Sequence, residues 1–154
     1  MDVQIVVFPE TKVAAIEHFG SPALEHDTAQ KLIAWKIEQR LLDPLKYRSY
    51  GIHYPAPRTT QRPDHHVDFC LSIEHEVGPN SFGIVNKIIP RNRCALARDI
   101  GSRYNNKAAV YLYERWLPQS GEVPGNFAIF FHYVNVGPNV REEEMITDVY
   151  LPLK

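Results

Sequence analysis

The stretch "FPETKVAAIEHFGSP", Phe8 to Pro22, decides how the chain is read, because "IPRNRCALARDIGSR", Ile89 to Arg103, repeats its plan. Pro9 meets Pro90, Ala14 meets Ala95, Gly20 meets Gly101 and Ser21 meets Ser102, all at an offset of 81 residues, and Trp35 meets Trp116 at the same offset. "HY" at His53 and Tyr54 returns at His132 and Tyr133, and "DFCLSI" at Asp68 to Ile73 resembles "DVYLPL" at Asp148 to Leu153. The matches keep their order while the offset drifts only between 79 and 81, so the chain reads as a duplicated unit with small loop differences.

The unit predicts its own structure. "VQIVVFP" is β-branched and weakly alternating, which predicts a strand, and "TKVAAIEHF" after the turn at Pro9 and Glu10 predicts its hairpin partner. Ser21 suits a helix N-cap and Pro22 the first helical position, where a missing N–H costs nothing. Leu24, Ala29, Leu32, Ile33, Ile37 and Leu41 then fall on one helix face, Trp35 lies off that stripe, and the helix is expected to stop near Leu42. Two strands follow, "YGIHY" and "VDFCLSIE", joined by a Pro-rich loop. In the second unit "IVNKIIP" and "RCALARDI" are strands, Ser102 is the expected cap, and Ala109, Leu112, Tyr113, Trp116 and Leu117 form the buried helix face, with "LPQSGEVPGN" breaking the helix. "FAIFFHYV" and "TDVYLPL" are the last strands. The expected fold is α+β: tandem strand–helix–strand–strand units over about 1–78 and 82–154, with antiparallel sheets, helices on one face and a ligand groove between the halves. Phe69, Leu71 and Ile73, and likewise Val149, Leu151 and Leu153, should pack under the helices.

Composition narrows the class. A chain of 154 residues can bury a core without disulfides or metal. A net charge of -1 gives no electrostatic case for nucleic-acid binding. No apolar run approaches a membrane span, and the start lacks a signal-type segment. Cys70 and Cys94 have no metal-ligand spacing and read as reduced, buried thiols of a cytoplasmic protein.

The opening "FPETKVAAIEHFGSP", with "GIHYPAPRTT", "HVDFC", "IPRNRCALARDIGS", "LYERWLPQSG" and the closing "TDVYLPLK", resembles the GyrI-like small-molecule-binding domain, also found as the effector-binding part of AraC-type and MerR-type regulators. The resemblance covers essentially the whole chain, leaves no room for a helix-turn-helix domain, and implies a stand-alone member. It implies binding of hydrophobic, often cationic, compounds, and links the chain to transcription regulation or toxin sequestration. Stand-alone relatives include a DNA gyrase inhibitor, a protein–protein module, and some members are hydrolases of strained electrophiles. Family members commonly carry Glu-x-Tyr in the penultimate strand, where this chain has Phe131-His132-Tyr133, and an Arg two residues before Asp68, where it has His66. Phe131 in place of that acid removes a buried counter-charge for a cation and leaves only a ring face.

The ligand-binding candidates are Tyr54, Tyr113, Trp116, Phe131, Tyr133, Asp148 and Tyr150, an aromatic set with one acid. Tyr113 and Trp116 suit plain core packing equally well. Trp35 either caps the groove or covers an edge. His65, His66 and Asp68 look like metal ligands, but adjacent strand residues face opposite ways and no fourth ligand is visible, so no metal or cofactor is expected. The repeated His53 and His132 suggest a structural hydrogen bond common to both halves. Asp68 and Asp148 could pair as acid and base, but their recurrence favours satisfying backbone groups; Asp148 is also the one remaining groove acid. Glu142 to Glu144 read as a solvated run that could meet a basic partner. No catalytic residue is assigned; a small hydrophobic molecule is the expected partner, with gyrase or a regulator as the protein alternative and a hydrolase using Asp148 with a Tyr as the third reading.

Overall fold

The structure is a computed structural model that describes residues 1–54, 66–103, 105–135 and 137–154. The predicted loop residues 55–65, including His65, lie outside the described residues. In chain order the elements are β1 (Val3–Phe8), β2 (Thr11–Phe19), α1 (Glu25–Glu38), β3 (Ser49–Tyr54), β4 (His66–Ser72), β5 (Val85–Ile89), β6 (Asn92–Ile100), α2 (Lys107–Tyr111), a π-helical turn (Leu112–Trp116), α3 (Leu117–Ser120), β7 (Ile129–Tyr133) and β8 (Ile146–Pro152). Short 3-10 turns cover Pro22–Leu24 and Glu142–Glu144. The fold is α+β with antiparallel strand pairing, as the duplication predicts.

The strand pairing corrects the predicted hairpin. β1 pairs with β6, from Val3 opposite Ala97 to Phe8 opposite Asn92, while β2 pairs with β4 and β5. "Pro-Glu" between β1 and β2 supplies none of the left-handed positions that a two-residue hairpin needs, so the chain continues instead of folding back. The chain accordingly divides into two compact units: residues 1–10 with 90–154, and residues 11–89. Each unit has its own four strands, β1–β6–β8–β7 in the first and β5–β2–β4–β3 in the second.

In the unit of residues 90–154, one sheet face carries Ala95, Ala97, Val149, Leu151 and Leu153, all buried against Ala108 and Leu112 of the helix. Small alanines on β6 let the helix approach closely, and truncating Leu112 to Ala would cost about 2–5 kcal/mol. In the unit of residues 11–89, Ala14, Ile16 and Leu71 pack with Leu32, Trp35 and Ile84, and Phe69 and Ile73 pack against this cluster. The row that sequence placed under each helix is therefore there.

The helices differ from expectation in detail. On α1 the buried residues are Leu32 and Trp35, while Leu24, Ile33 and Ile37 are exposed. The many apolar positions of α1 allow more than one stripe, and the large Trp35 indole takes the core position. α1 ends at Glu38, with Arg40 in the left-handed conformation at φ 60. Ser21 caps as predicted, its Oγ accepting from Ala23 N at 3.2 Å, with Pro22 beginning the 3-10 turn. Ser102 does not cap α2: Asn106 does, accepting from Ala109 N at 3.0 Å. The second helix passes through Leu117 and Pro118 to Ser120 and stops at Gly121, φ 75. A proline ring clashes with the carbonyl four residues back, and the wider π turn just before Pro118 relieves that clash.

Candidate functional site

Strand register assigns each candidate to a face. Phe131 is opposite Val149 and Tyr133 opposite Thr147, so both lie on the helix face of the unit of residues 90–154. Trp116 and Phe131 are partly buried against its core. Tyr113, from the same π turn as Trp116, is 45% exposed, and burial of part of its ring raises its phenol pKa. The Phe131 and Tyr133 rings meet edge to face at 6.5 Å. Arg103, between β6 and α2, lays its guanidinium over the Tyr133 ring at 4.9 Å and donates from Nη2 to the Asn135 carbonyl at 2.9 Å. Phe131 and Tyr133 thus share the helix face, Trp116 packs against the same core from the helix, Tyr113 lies exposed on the π turn, and none of the four is fully buried.

Asp148 and Tyr150 lie on the opposite face of the same unit. Asp148 takes two hydrogen bonds from Arg98, Nε to Oδ1 at 2.7 Å and Nη2 to Oδ2 at 3.1 Å. Tyr150 stacks on Phe130 at 5.0 Å, and Phe8 meets both rings edge-on at 4.8 and 5.1 Å. Sequence reasoning placed Asp148 and Tyr150 beside Phe131 and Tyr133; alternation separates them.

Tyr54 belongs to the other unit and to its face away from the helix. It is opposite His66, and Ile52 is opposite Asp68. By register, then, Ile52 corresponds to His132, which is opposite Asp148. The two "HY" pairs, at an offset of 79, are one residue out of step with the closing strands, at 80. His53 consequently faces the helix layer and His132 faces away, so the repeated pair does not occupy equivalent positions.

Around Tyr54 the structure assembles a charged cluster that sequence only half showed. The Asp68 carboxylate, 0% exposed, accepts from Tyr54 Oη at 2.9 Å, from His66 Nε2 at 2.9 Å and from Lys87 Nζ at 2.7 Å. Lys87 also reaches Glu17 Oε2 at 3.1 Å. The His66 ring is stacked between Phe19 and Tyr54, 4.2 Å from each. Burial first, and then the Asp68 charge, push the Tyr54 phenol pKa strongly up. Burial alone would lower the Lys87 pKa, but its bonds to Asp68 and Glu17 outweigh that and leave it raised. Glu17, His66 and Asp68 bring ligand atoms within 4.8 Å of one another, so Glu17 is the third ligand type that local sequence did not reveal. The Lys87 ammonium already answers both carboxylates there, which is the charge a metal would need.

Two hollows lie elsewhere. One of about 360 Å³ opens beside Trp35, Tyr47 and Glu74, and one of about 430 Å³ beside Asn92 and Phe127. Neither is lined by any of the seven candidates.

The family model of the GyrI-like small molecule binding domain matches residues 1–154. The chain belongs to this family. A relative named probable transcriptional regulator YgiV, from Escherichia coli (strain K12), is 33% identical over 154 residues, covering 99% of this chain and 96% of its own. A DNA gyrase inhibitor from Erwinia billingiae (strain Eb661) is 24% identical over 157 residues, covering 99% and 97%. Among solved structures, the EcmrR C-terminal domain superposes with a TM-score of 0.70 at 14% identity, over 99% of this chain and 97% of that one. SAV2435 bound to tetraphenylphosphonium superposes with a TM-score of 0.58 at 15% identity, over 100% and 94%. At such identities the structural likenesses show the fold alone. Among the described residues of this GyrI-like domain no helix is long and apolar enough to cross a membrane.

Three polar residues of the helix face escaped the sequence reading: Arg103, Thr147 and Asp99. Asp99 is opposite Thr147, and Thr147 opposite Tyr133, so one row crosses β6, β8 and β7. Asp99 is 4% exposed and Thr147 1% exposed. The signal in the sequence was the row Ala95, Ala97, Asp99, in which an acid follows two small core residues.

Proposed function

We propose that this GyrI-like domain binds an aromatic small molecule on the helix face of residues 90–154, and that binding serves ligand-dependent regulation or sequestration rather than chemistry. The observation that carries this reading is the set of Trp116, Phe131 and Tyr133, none of them fully buried, with Phe131 and Tyr133 in edge-to-face contact and Trp116 and Phe131 packed against one core. Partly exposed rings offer a ligand large apolar area at low entropic cost, and a dissociation constant near the micromolar range, about -8 kcal/mol, is ordinary for such a site. Trp116 and Tyr113 are carried on a π turn, an irregularity frequent at functional sites. The doubly bonded Asp148 is a poor general acid or base, which counts against a hydrolase that would use it.

The test is titration calorimetry with a panel of neutral aromatic compounds against wild type, Tyr133→Ala and Trp116→Ala. Both substitutions should weaken binding about tenfold or more. Binding that ignores both would sink the reading, as would a panel that never binds. The protein–protein alternative is favoured by the relative named DNA gyrase inhibitor and by the exposed Glu142–Glu144 run. It would gain if the purified chain bound DNA gyrase and charge reversal of that run abolished the contact.

A further inference from the structure

Among the described residues, each buried Asp on the faces away from the helices is answered by a cation: Asp68 by Lys87, and Asp148 by Arg98. Asp99 is different. It lies on the helix face, 4% exposed, and no ion pair among the described residues includes it. Its cross-strand neighbour Thr147 is 1% exposed, and the Thr147 Oγ1 has no hydrogen-bond partner among the described residues. The equivalent position in the other unit, 81 residues earlier, is His18, which is satisfied: Nδ1 bonds Thr28 Oγ1 at 2.7 Å and Nε2 bonds the Ser21 carbonyl at 2.9 Å. A buried carboxylate and a buried hydroxyl side by side are costly unless donors reach them, and a native structure keeps such groups for a reason.

We propose that Asp99 and Thr147 are the polar end of the aromatic site and select a ligand that carries N–H donors: an arylalkyl primary ammonium, in preference to a quaternary onium. This rests on the reading of the helix face as a ligand site. The row Asp99, Thr147, Tyr133 spans two strand spacings, about 10 Å, which accommodates an aromatic ring at Tyr133 and an ammonium between Thr147 and Asp99. A carboxylate and a hydroxyl can both accept N–H bonds, and a quaternary onium has none to give. Arg103, on the face of Tyr133, places positive charge at the other end of the row and so disfavours the reversed pose, with the ammonium at Tyr133.

The experiment compares 2-(1-naphthyl)ethylammonium, its N,N,N-trimethyl analogue and neutral 2-(1-naphthyl)ethanol by calorimetry, on wild type, Asp99→Asn, Thr147→Val and Tyr133→Ala. Wild type should bind the primary ammonium at least about tenfold more tightly than the trimethyl analogue. Asp99→Asn should lose that factor while shifting the alcohol much less than the ammonium; Thr147→Val should weaken the ammonium several-fold. Asp99→Asn should also unfold at no lower urea concentration than wild type, because an acid kept for a ligand does not support the empty fold. Equal affinities for the two cations in wild type, an Asp99→Asn variant that binds the ammonium normally, or one that is markedly destabilised would overturn the proposal. If the alcohol still binds and Tyr133→Ala still abolishes it, only this inference fails. If none of the three compounds binds wild type, the aromatic site itself fails and takes the inference with it.

Discussion

Replacing Lys87 by Met should be far more costly than replacing Arg98 by Met, although each lysine or arginine answers one buried Asp. Lys87 is 26% exposed and its partner Asp68 is 0% exposed; Arg98 is 54% exposed and Asp148 11%. At the Lys87–Asp68 separation of 2.7 Å the attraction is about 6 kcal/mol for an effective dielectric of 20, before desolvation is subtracted. Removing one member of a buried pair costs about 3–5 kcal/mol, because the other charge is left behind. Tyr54 and His66 continue to donate to Asp68, which puts Lys87→Met near the lower end, about 3 kcal/mol. Arg98→Met falls in the range of partly exposed pairs, about 1 kcal/mol. For a chain of this size the corresponding drops in Tm are about 6–12 °C and 2–4 °C. Urea unfolding with an unchanged slope would measure both. The double variant Asp68→Asn, Lys87→Met should lose clearly less than the two single losses added together, since it leaves no buried charge. Equal losses for Lys87→Met and Arg98→Met, or strict additivity in the double variant, would refute the reasoning.

The chain should also become labile in alkali. Burial pushes the Cys94 thiol from 9.0 up to about 12, raises the Cys70 thiol strongly, and raises the phenols of Tyr50, Tyr54 and Tyr113. Each of these groups gives up its proton earlier in the unfolded chain, so stability is full below about pH 9 and falls as pH rises toward 12; Lys87, raised above 10.5, adds a loss of the same sign above that value. A urea midpoint unchanged between pH 8 and pH 11 would contradict this. Deleting residues 1–8 should unprotect amides of β6, which pair with β1, while leaving β2–β4 amides protected; hydrogen exchange showing the reverse would return β1 to the predicted hairpin.

Much of the fold was legible because burial alternates along a strand and the alternation was written twice. The rows Phe69, Leu71, Ile73 and Val149, Leu151, Leu153 need only that rule. What failed was information that single residues do not carry. Nothing in "FPET" says which strand β1 will pair with, because that depends on partners more than 80 residues away. α1 has apolar residues around much of its circumference, so its stripe is decided by which side chain fills the core best, and that is Trp35. The "HY" repeat misled because identity of two residues is weaker evidence than register: a slip of one residue moves every side chain to the other face. Residue type groups Asp148 and Tyr150 with Tyr133, as a groove acid and an aromatic, but says nothing of face, and Asp99 and Thr147 went unnoticed because each lies in a strand read for its apolar row.

Since the two units follow one plan, each serves as a control on the other. At the position of Phe131 the other unit has Gly51, and at the position of Tyr133 it has His53. At the position of Asp99 it has His18, held by two hydrogen bonds. The faces away from the helices diverged differently: both retain a buried Asp and both supply it with a cation from within the same sheet, Lys87 on β5 in one and Arg98 on β6 in the other. A duplicated domain under pressure only to fold would keep both helix faces equally satisfied. Here the helix face of residues 90–154 carries rings that are not fully buried, an acid without an ion pair among the described residues and a hydroxyl without a hydrogen-bond partner among them, while the matching row in residues 11–89 has Gly51, His53, Val67 and the doubly bonded His18. That asymmetry is what selection for a ligand on one unit would leave in a fold whose scaffold chemistry is otherwise shared.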